Sequence, residues 1–304
     1  MRVPSLLFCL CTGLLLSACD GGDDGISIAI GNTRDGSLTL SITDAPADDV
    51  AVVSLRLTGV ELLHSDGERE RIEFDEAQQV DLLELRNGTL FTLLENEPLP
   101  NGRYQELRLL VESSETGIES FVETTTGGQL PLTVSDDGAL QLNANFEIEP
   151  DTTTNLIVDI DLRKGLLHQA DPELYRLRSS LRLIDGDNFG GIAGSVASNL
   201  VEGRECSNGP GFATGNVVYV YSGSGISPDD IDGDAGDPLT TADVIAASGG
   251  GYSYEVRYLP PGAYSIAFSC RGVEDDPLRN DSLEFTLGVD VNVTSGTTST
   301  QDLF

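Results

Sequence analysis

The densest group of side chains able to do chemistry is the run SPDDIDGDAGDP, which carries Asp229, Asp230, Asp232, Asp234 and Asp237 in one glycine-punctuated loop. Carboxylate oxygens at alternate positions are the donor set of a hard cation such as calcium, and Asp230, Asp232 and Asp234 are the ligands expected here. A twelve-residue calcium loop counted from Asp230 would need glycine at its sixth position and glutamate at its last, where Ala235 and Thr241 stand instead. A solvated acidic loop accounts for the same residues, and no cofactor other than calcium is expected. Tyr219 and Tyr221 fall on one face of an expected strand and Tyr252 and Tyr254 on one face of another. In a chain without tryptophan these rings are the candidates for a sugar-binding surface, and packing in a core is the competing reading. The two histidines, His64 in an expected hairpin turn and His168 in an expected loop, have no GxSxG nucleophile to serve. Carboxylates are so numerous that a glycosidase-like pair could be drawn almost anywhere, so no catalytic residue is assigned and the chain reads as a non-enzyme. Asp159, Asp161, Arg163 and Lys164 in DIDLRK form a charge-dense patch, expected to pair its own charges or to meet a partner.

Five cysteines divide by position. Met1-Arg2 gives a short positive start, Leu6 to Leu16 an apolar run that includes Cys9 and Cys11, and Ser17-Ala18 the small residues that precede a signal-peptidase cut. The apolar run is too short for a permanent span of a bilayer roughly 30 Å thick. Leu16-Ser17-Ala18-Cys19 resembles the lipobox of bacterial lipoproteins, which implies a signal peptide over residues 1–18, diacylation of the Cys19 sulfur and acylation, as by palmitate, of its new amine. Residues 19–36 then form a lipidated start and flexible spacer, and the membrane becomes a partner through the lipid. The expected address is the bacterial envelope, facing periplasm or exterior. Cys206 and Cys270 remain for the body and are expected to pair, since thiols outside the cytosol do. In the loop-entropy model such a bridge is worth about 4 kcal/mol.

The elements that must position these residues read as strands. Ser37 to Thr43 and Val50 to Leu63 alternate apolar with polar, and HSDGERE closes a hairpin. Further strands are expected at residues 103–111, 119–125, 130–134, 140–148, 155–162 and 175–184, and VDLLELRNGTLFTLL is the stretch where a helical turn competes. DGDNFGG, residues 185–191, marks a boundary between domains at 37–186 and 190–304. Strands of the second domain are expected at 192–196, 216–221, 252–258, 264–270, 283–287 and 289–293. Leu99-Pro100-Asn101-Gly102-Arg103-Tyr104 and Leu259-Pro260-Pro261-Gly262-Ala263-Tyr264 share the pattern LPxGxY, a turn whose tyrosine returns into the sheet. The 50 acidic residues stand against 17 basic ones, Lys164 being the single lysine, and the net charge of −33 excludes a nucleic-acid partner.

SLTLSITDAPADD, VDLLEL, LPNGRYQELRLLV and DIDLRKGL, in this order, resemble an uncharacterised bacterial lipoprotein family, domain of unknown function 4382, which carries no established activity. GGYSYEVRYLPPGAYSIAFSC and the closing VDVNVTSGTTSTQDL are similar to carboxypeptidase-regulatory-like and transthyretin-like modules, a superfamily that includes starch-binding domains. The expected fold is all-β, two antiparallel β-sandwiches of immunoglobulin-like or prealbumin-like type in tandem. The expected role is a lipid-anchored envelope binding or interaction protein that contacts an envelope protein or a glycan. Carbohydrate binding by the second domain is the alternative, and an envelope hydrolase the second alternative.

Overall fold

The computed structural model describes residues 35–47, 50–86, 88–134, 137–203, 206 and 215–304, so the expected signal, Cys19 and the expected spacer up to residue 34 lie outside the described residues. The first half is built from β1 (Gly36–Ala45), β2 (Val50–His64), β3 (Arg69–Asp81), β4 (Phe91–Leu99), β5 (Gly102–Val111), β6 (Phe121–Thr124), β7 (Gln129–Thr133), β8 (Ala139–Ile148), β9 (Thr153–Asp161), β10 (Leu166–Ala170), β11 (Glu173–Leu177) and β12 (Leu181–Asp185). One sheet has the order β12-β9-β1-β4, and the other runs β10-β11-β7-β6-β2-β5-β8 with β3 paired to β2. Period-two alternation sends Leu38, Leu40 and Ile42 of β1 inward to meet Leu55, Leu57, Leu107 and Leu109 from the larger sheet, all fully buried. At about 25 cal/mol for each square ångström of apolar surface buried, such a core is the main stabilising contribution of this half.

The second half contains β13 (Gly190–Val196), β14 (Val217–Ser222), β15 (Thr240–Asp243), β16 (Ile245–Ala246), β17 (Tyr252–Leu259), β18 (Gly262–Ser269), β19 (Val289–Val293) and β20 (Thr298–Thr300). They form two four-stranded sheets, β16-β17-β13-β20 and β15-β14-β18-β19, around Ile192, Val218, Val220, Ile266 and Phe268. Cys206 and Cys270 are joined by a disulfide in this half, as expected. No helix among the described residues is long and apolar enough to cross a membrane.

The all-β architecture agrees with the sequence reading, but the sheets are not purely antiparallel. β1 runs parallel to β9 from Ser37↔Thr153 to Ala45↔Asp161, and β7 with β11 and β13 with β20 are also parallel pairs. A parallel pair needs a long crossover, and between β1 and β9 the chain supplies most of the opposing sheet. The expected strand 175–184 is two strands in different sheets, because Ser180 N–H donates to Arg178 O at 2.7 Å in a tight corner between them. Residues 283–287 form no strand. Leu283 and Phe285 cap the outer face of β14 and β18 instead, tied by Thr286 N–H to Phe268 O at 2.9 Å. Leu82–Leu85 is a 3-10 turn whose N-cap, Asp81, accepts from Leu83 N–H at 3.1 Å, and β4 follows it.

Both LPxGxY turns close alike. Tyr104 Oη donates to Pro100 O at 2.9 Å and Tyr264 Oη to Pro260 O at 2.6 Å, so each ring returns to bond the carbonyl of the proline that opened its turn. Gly102 holds a φ of +138°, and a Cβ there would strike His64 Nε2 at 2.3 Å.

Candidate functional site

DIDLRK sits where the two sandwiches meet. β9 ends at Asp161, whose carboxylate accepts from Lys164 N–H at 3.0 Å and so caps the single helical turn Leu162–Gly165. Arg163, in the turn beyond the end of β9, crosses to the second sandwich. Its guanidinium donates to Gly272 O at 3.2 Å and Asp243 Oδ1 at 3.3 Å. Lys164 Nζ donates to Pro238 O, and Arg178 Nη2 reaches Pro277 O at 3.4 Å. On β12, Arg182 gives Nε and Nη2 to Asp159 Oδ2 at 3.2 and 2.7 Å and Nη1 to Tyr258 O at 3.2 Å. Tyr258 Oη in turn donates to Gly88 O at 2.6 Å, while its ring packs with Ile157, Ile184 and Phe189. The single lysine and three arginines thus answer carbonyls and a carboxylate of the other sandwich.

Three cavities open along this seam among the described residues, two of them beside Asp159. One of about 450 Å³ is lined by Asp159, Asp161, Lys164, Arg182, Tyr221 and Asp237. The other, about 210 Å³, is lined by Asp44, Arg86, Asp159, Arg182, Thr241 and Tyr258. Burial, then the charges of Asp159 and Asp161, push the Asp44 carboxyl well above the usual carboxylate range, and burial raises Asp161 in the same direction.

The Asp-rich loop does not gather its expected trio into one site. Asp230 turns inward, 2% exposed, and its carboxylate lies within 4.8 Å of those of Asp275 and Asp281, whereas Asp232 and Asp234 group with Asp237. The correction follows from the turn chemistry: Asp237 Oδ1 accepts from Asp232 N–H at 3.0 Å and Asp232 Oδ1 from Asp234 N–H at 2.9 Å, so these carboxylates first hold their own loop. Each triad offers oxygen alone, the donor set of a hard cation. Asp275 accepts from Tyr219 Oη at 2.7 Å and from Ile231 N–H at 3.1 Å, and burial pushes its carboxyl up to about 6.

The tyrosine surface is also corrected. Tyr219 and Tyr221 are 0% and 2% exposed beneath Ile231, Leu283 and Phe285, and Tyr252 and Tyr254 lie in the core at 9% and 3%. Their hydroxyls are engaged with Asp275, Asp229 O, Glu202 and Gln301 O. Both faces of β14 are covered, which is why its rings do not reach solvent. His64 ends β2, pairs with Asp66 at 2.8 Å and packs edge-on against Tyr104. His168 lies in β10 and not in a loop, its ring 5.0 Å from Tyr175.

Glu61 is a residue that sequence reasoning missed. It accepts from Arg69 Nη1 at 2.7 Å and Arg108 Nη1 at 2.9 Å across three strands. Burial alone would raise its carboxyl, but Arg108 and then Arg69 hold it below its usual value. Only the pairing register of β2, β3 and β5 could have revealed that cluster.

Residues 35–179 match the family model described as Domain of unknown function (DUF4382), which agrees with the resemblance read in the first half. No curated protein matches the chain in sequence. The chain is similar to the minor pilin GBS52 of Streptococcus agalactiae at 11% identity, with 88% of this chain and 94% of that one covered and a TM-score of 0.21. The fimbrial anchor protein Mfa2 of Porphyromonas gingivalis gives 10% identity, 79% coverage of each chain and a TM-score of 0.19. For the Bacillus anthracis TIE protein the identity is 10% and the TM-score 0.20, with 89% of this chain covered but only 34% of that one, so this chain spans about a third of its length. TM-scores at this level make none of the three a template for the chain.

Proposed function

We propose that the protein is a non-catalytic binding or interaction protein of a bacterial cell envelope, anchored by lipid on Cys19 and presenting its two clasped sandwiches to the space outside the membrane. The Cys206–Cys270 disulfide carries this reading, because such bridges persist in oxidising compartments and are rare in the cytosol. Leu16-Ser17-Ala18-Cys19 supplies the attachment chemistry, and acyl chains at about 0.8 kcal/mol per buried methylene hold a protein stably once two are present. An acidic body with one lysine has little attraction for anionic headgroups, which leaves the lipid as the element that holds it. The seam between the sandwiches fixes the body as a stiff unit suited to presenting a surface.

Labelling cells with a fatty-acid analogue, followed by detergent phase partition, tests the anchor. The wild-type chain is expected to carry label and enter the detergent phase, and Cys19→Ser to do neither. Label retained on Cys19→Ser overturns the assignment.

A further inference from the structure

We propose that the smaller cavity at the seam, between Asp44 of β1 and Thr241 of β15, is a binding site for a hard divalent cation of the calcium class, separate from the Asp-rich loop. Asp44 is 7% exposed and Thr241 3% exposed, and both line this cavity of about 210 Å³. Neither carboxylate oxygen of Asp44 nor the hydroxyl of Thr241 has a hydrogen-bond partner among the described residues. The two side chains come from different sandwiches and do not bond each other.

A buried carboxylate without donors is among the least favourable arrangements in a protein interior, and its neighbours show how the fold ordinarily remedies it. Asp159 receives two N–H groups from Arg182, and Asp161 receives the Lys164 N–H. Arg182 also gives Nη1 to Tyr258 O, and Arg86 gives Nε to Leu83 O while its Nη1 lies 3.8 Å from Asp243, so these guanidinium groups bond elsewhere, and the charge of Arg86 acts on Asp44 without a hydrogen bond to it. Asp161 Oδ2 is a further buried oxygen without a partner. A proton on Asp44 would remove its charge but add a donor that itself needs an acceptor, and would leave Thr241 as it is. An oxygen-seeking cation accepts lone pairs from carboxylate and hydroxyl together, and the negative potential of Asp159 and Asp161 favours it. Bound there, it would join β1 to β15 and strengthen the seam.

Thermal melts and titration calorimetry of the full chain in detergent, in chelator and in millimolar calcium chloride, test the site. Calcium is expected to raise the melting temperature by about 5 °C. Asp232→Asn, in the Asp-rich loop, is expected to keep that rise and Asp44→Asn to lose it. Thr241→Val, which keeps shape and charge balance, is expected to weaken calcium binding several-fold while folding normally in chelator. No calcium response in the wild-type chain overturns the proposal, and so does a response lost in Asp232→Asn but kept in Asp44→Asn. Should Asp44→Asn not fold, undiminished calcium affinity in Thr241→Val overturns it.

Discussion

At Asp275, burial has pushed a carboxyl up to about 6 although Tyr219 and Ile231 both donate to it. Desolvation therefore outweighs two hydrogen bonds here, helped by the charge of Asp230. An acid whose folded pKa lies above its unfolded value of about 4 is held protonated by the fold. Stability is then greatest at low pH, falls as pH rises from about 4 through 6, and stays lower above it. Asp275→Asn cannot ionise and keeps an acceptor, so its urea midpoint is expected to fall less than that of the wild-type chain between about pH 4 and pH 7. Parallel pH dependences in the two proteins would mean that Asp275 does not titrate as its burial requires. The aspartates are visible in the sequence, yet which ones turn inward is not, because SPDDIDGDAGDP has no strand or helix period to assign faces.

The LPxGxY turns belong to the scale of elements. Each tyrosine is buried, 1% exposed at Tyr104 and 4% at Tyr264, and each hydroxyl bonds a carbonyl four residues back. Tyr104→Phe and Tyr264→Phe each remove the bond from the ring hydroxyl to the proline carbonyl and are expected to cost about 1 kcal/mol, read as a lower urea midpoint at unchanged slope. A neutral result at both would show that the ring alone makes the turn. Such turns were legible because proline, glycine and tyrosine act within six positions of one another. Most strands were legible for a related reason: alternation is local, as in Leu38, Leu40 and Ile42. What alternation does not carry is the partner. The parallel register of β1 on β9 joins Ser37 to Thr153, and the corner that sends Tyr175 and Ile184 to different sheets rests on backbone bonds of Arg178 and Ser180. Leu283 to Leu287 has strand composition but finds an outer sheet face to cover in place of an edge to extend.

At the scale of the whole molecule, DIDLRK announced its charge density but not its use, because its partners in the second sandwich include the main-chain carbonyls of Gly272 and Pro238, which have no sequence signature. Arg163 meets Gly272 at a separation of 109 residues, and Lys164 meets Pro238 at 74. The chain passes from β12 to β13 through Gly186 to Phe189 alone, so this seam decides whether the two sandwiches unfold together. Arg163 is 4% exposed at its side chain and its bond to Gly272 is shielded from water, while Tyr258 packs with Ile157 and Ile184 of the first sandwich as an apolar contact of the same seam. Replacing Arg163 and Lys164 together by alanine removes these donors and lets water enter, a loss of coupling on the order of 3 kcal/mol. Calorimetry of the wild-type chain is expected to give one transition, and of the double variant two. Only the sandwich that holds the Cys206–Cys270 bridge has a disulfide to lose, so a reductant should lower one of the two transitions and leave the other in place. A double variant that still melts in one step, at the wild-type temperature, would assign the coupling to the apolar cluster and remove DIDLRK from the seam.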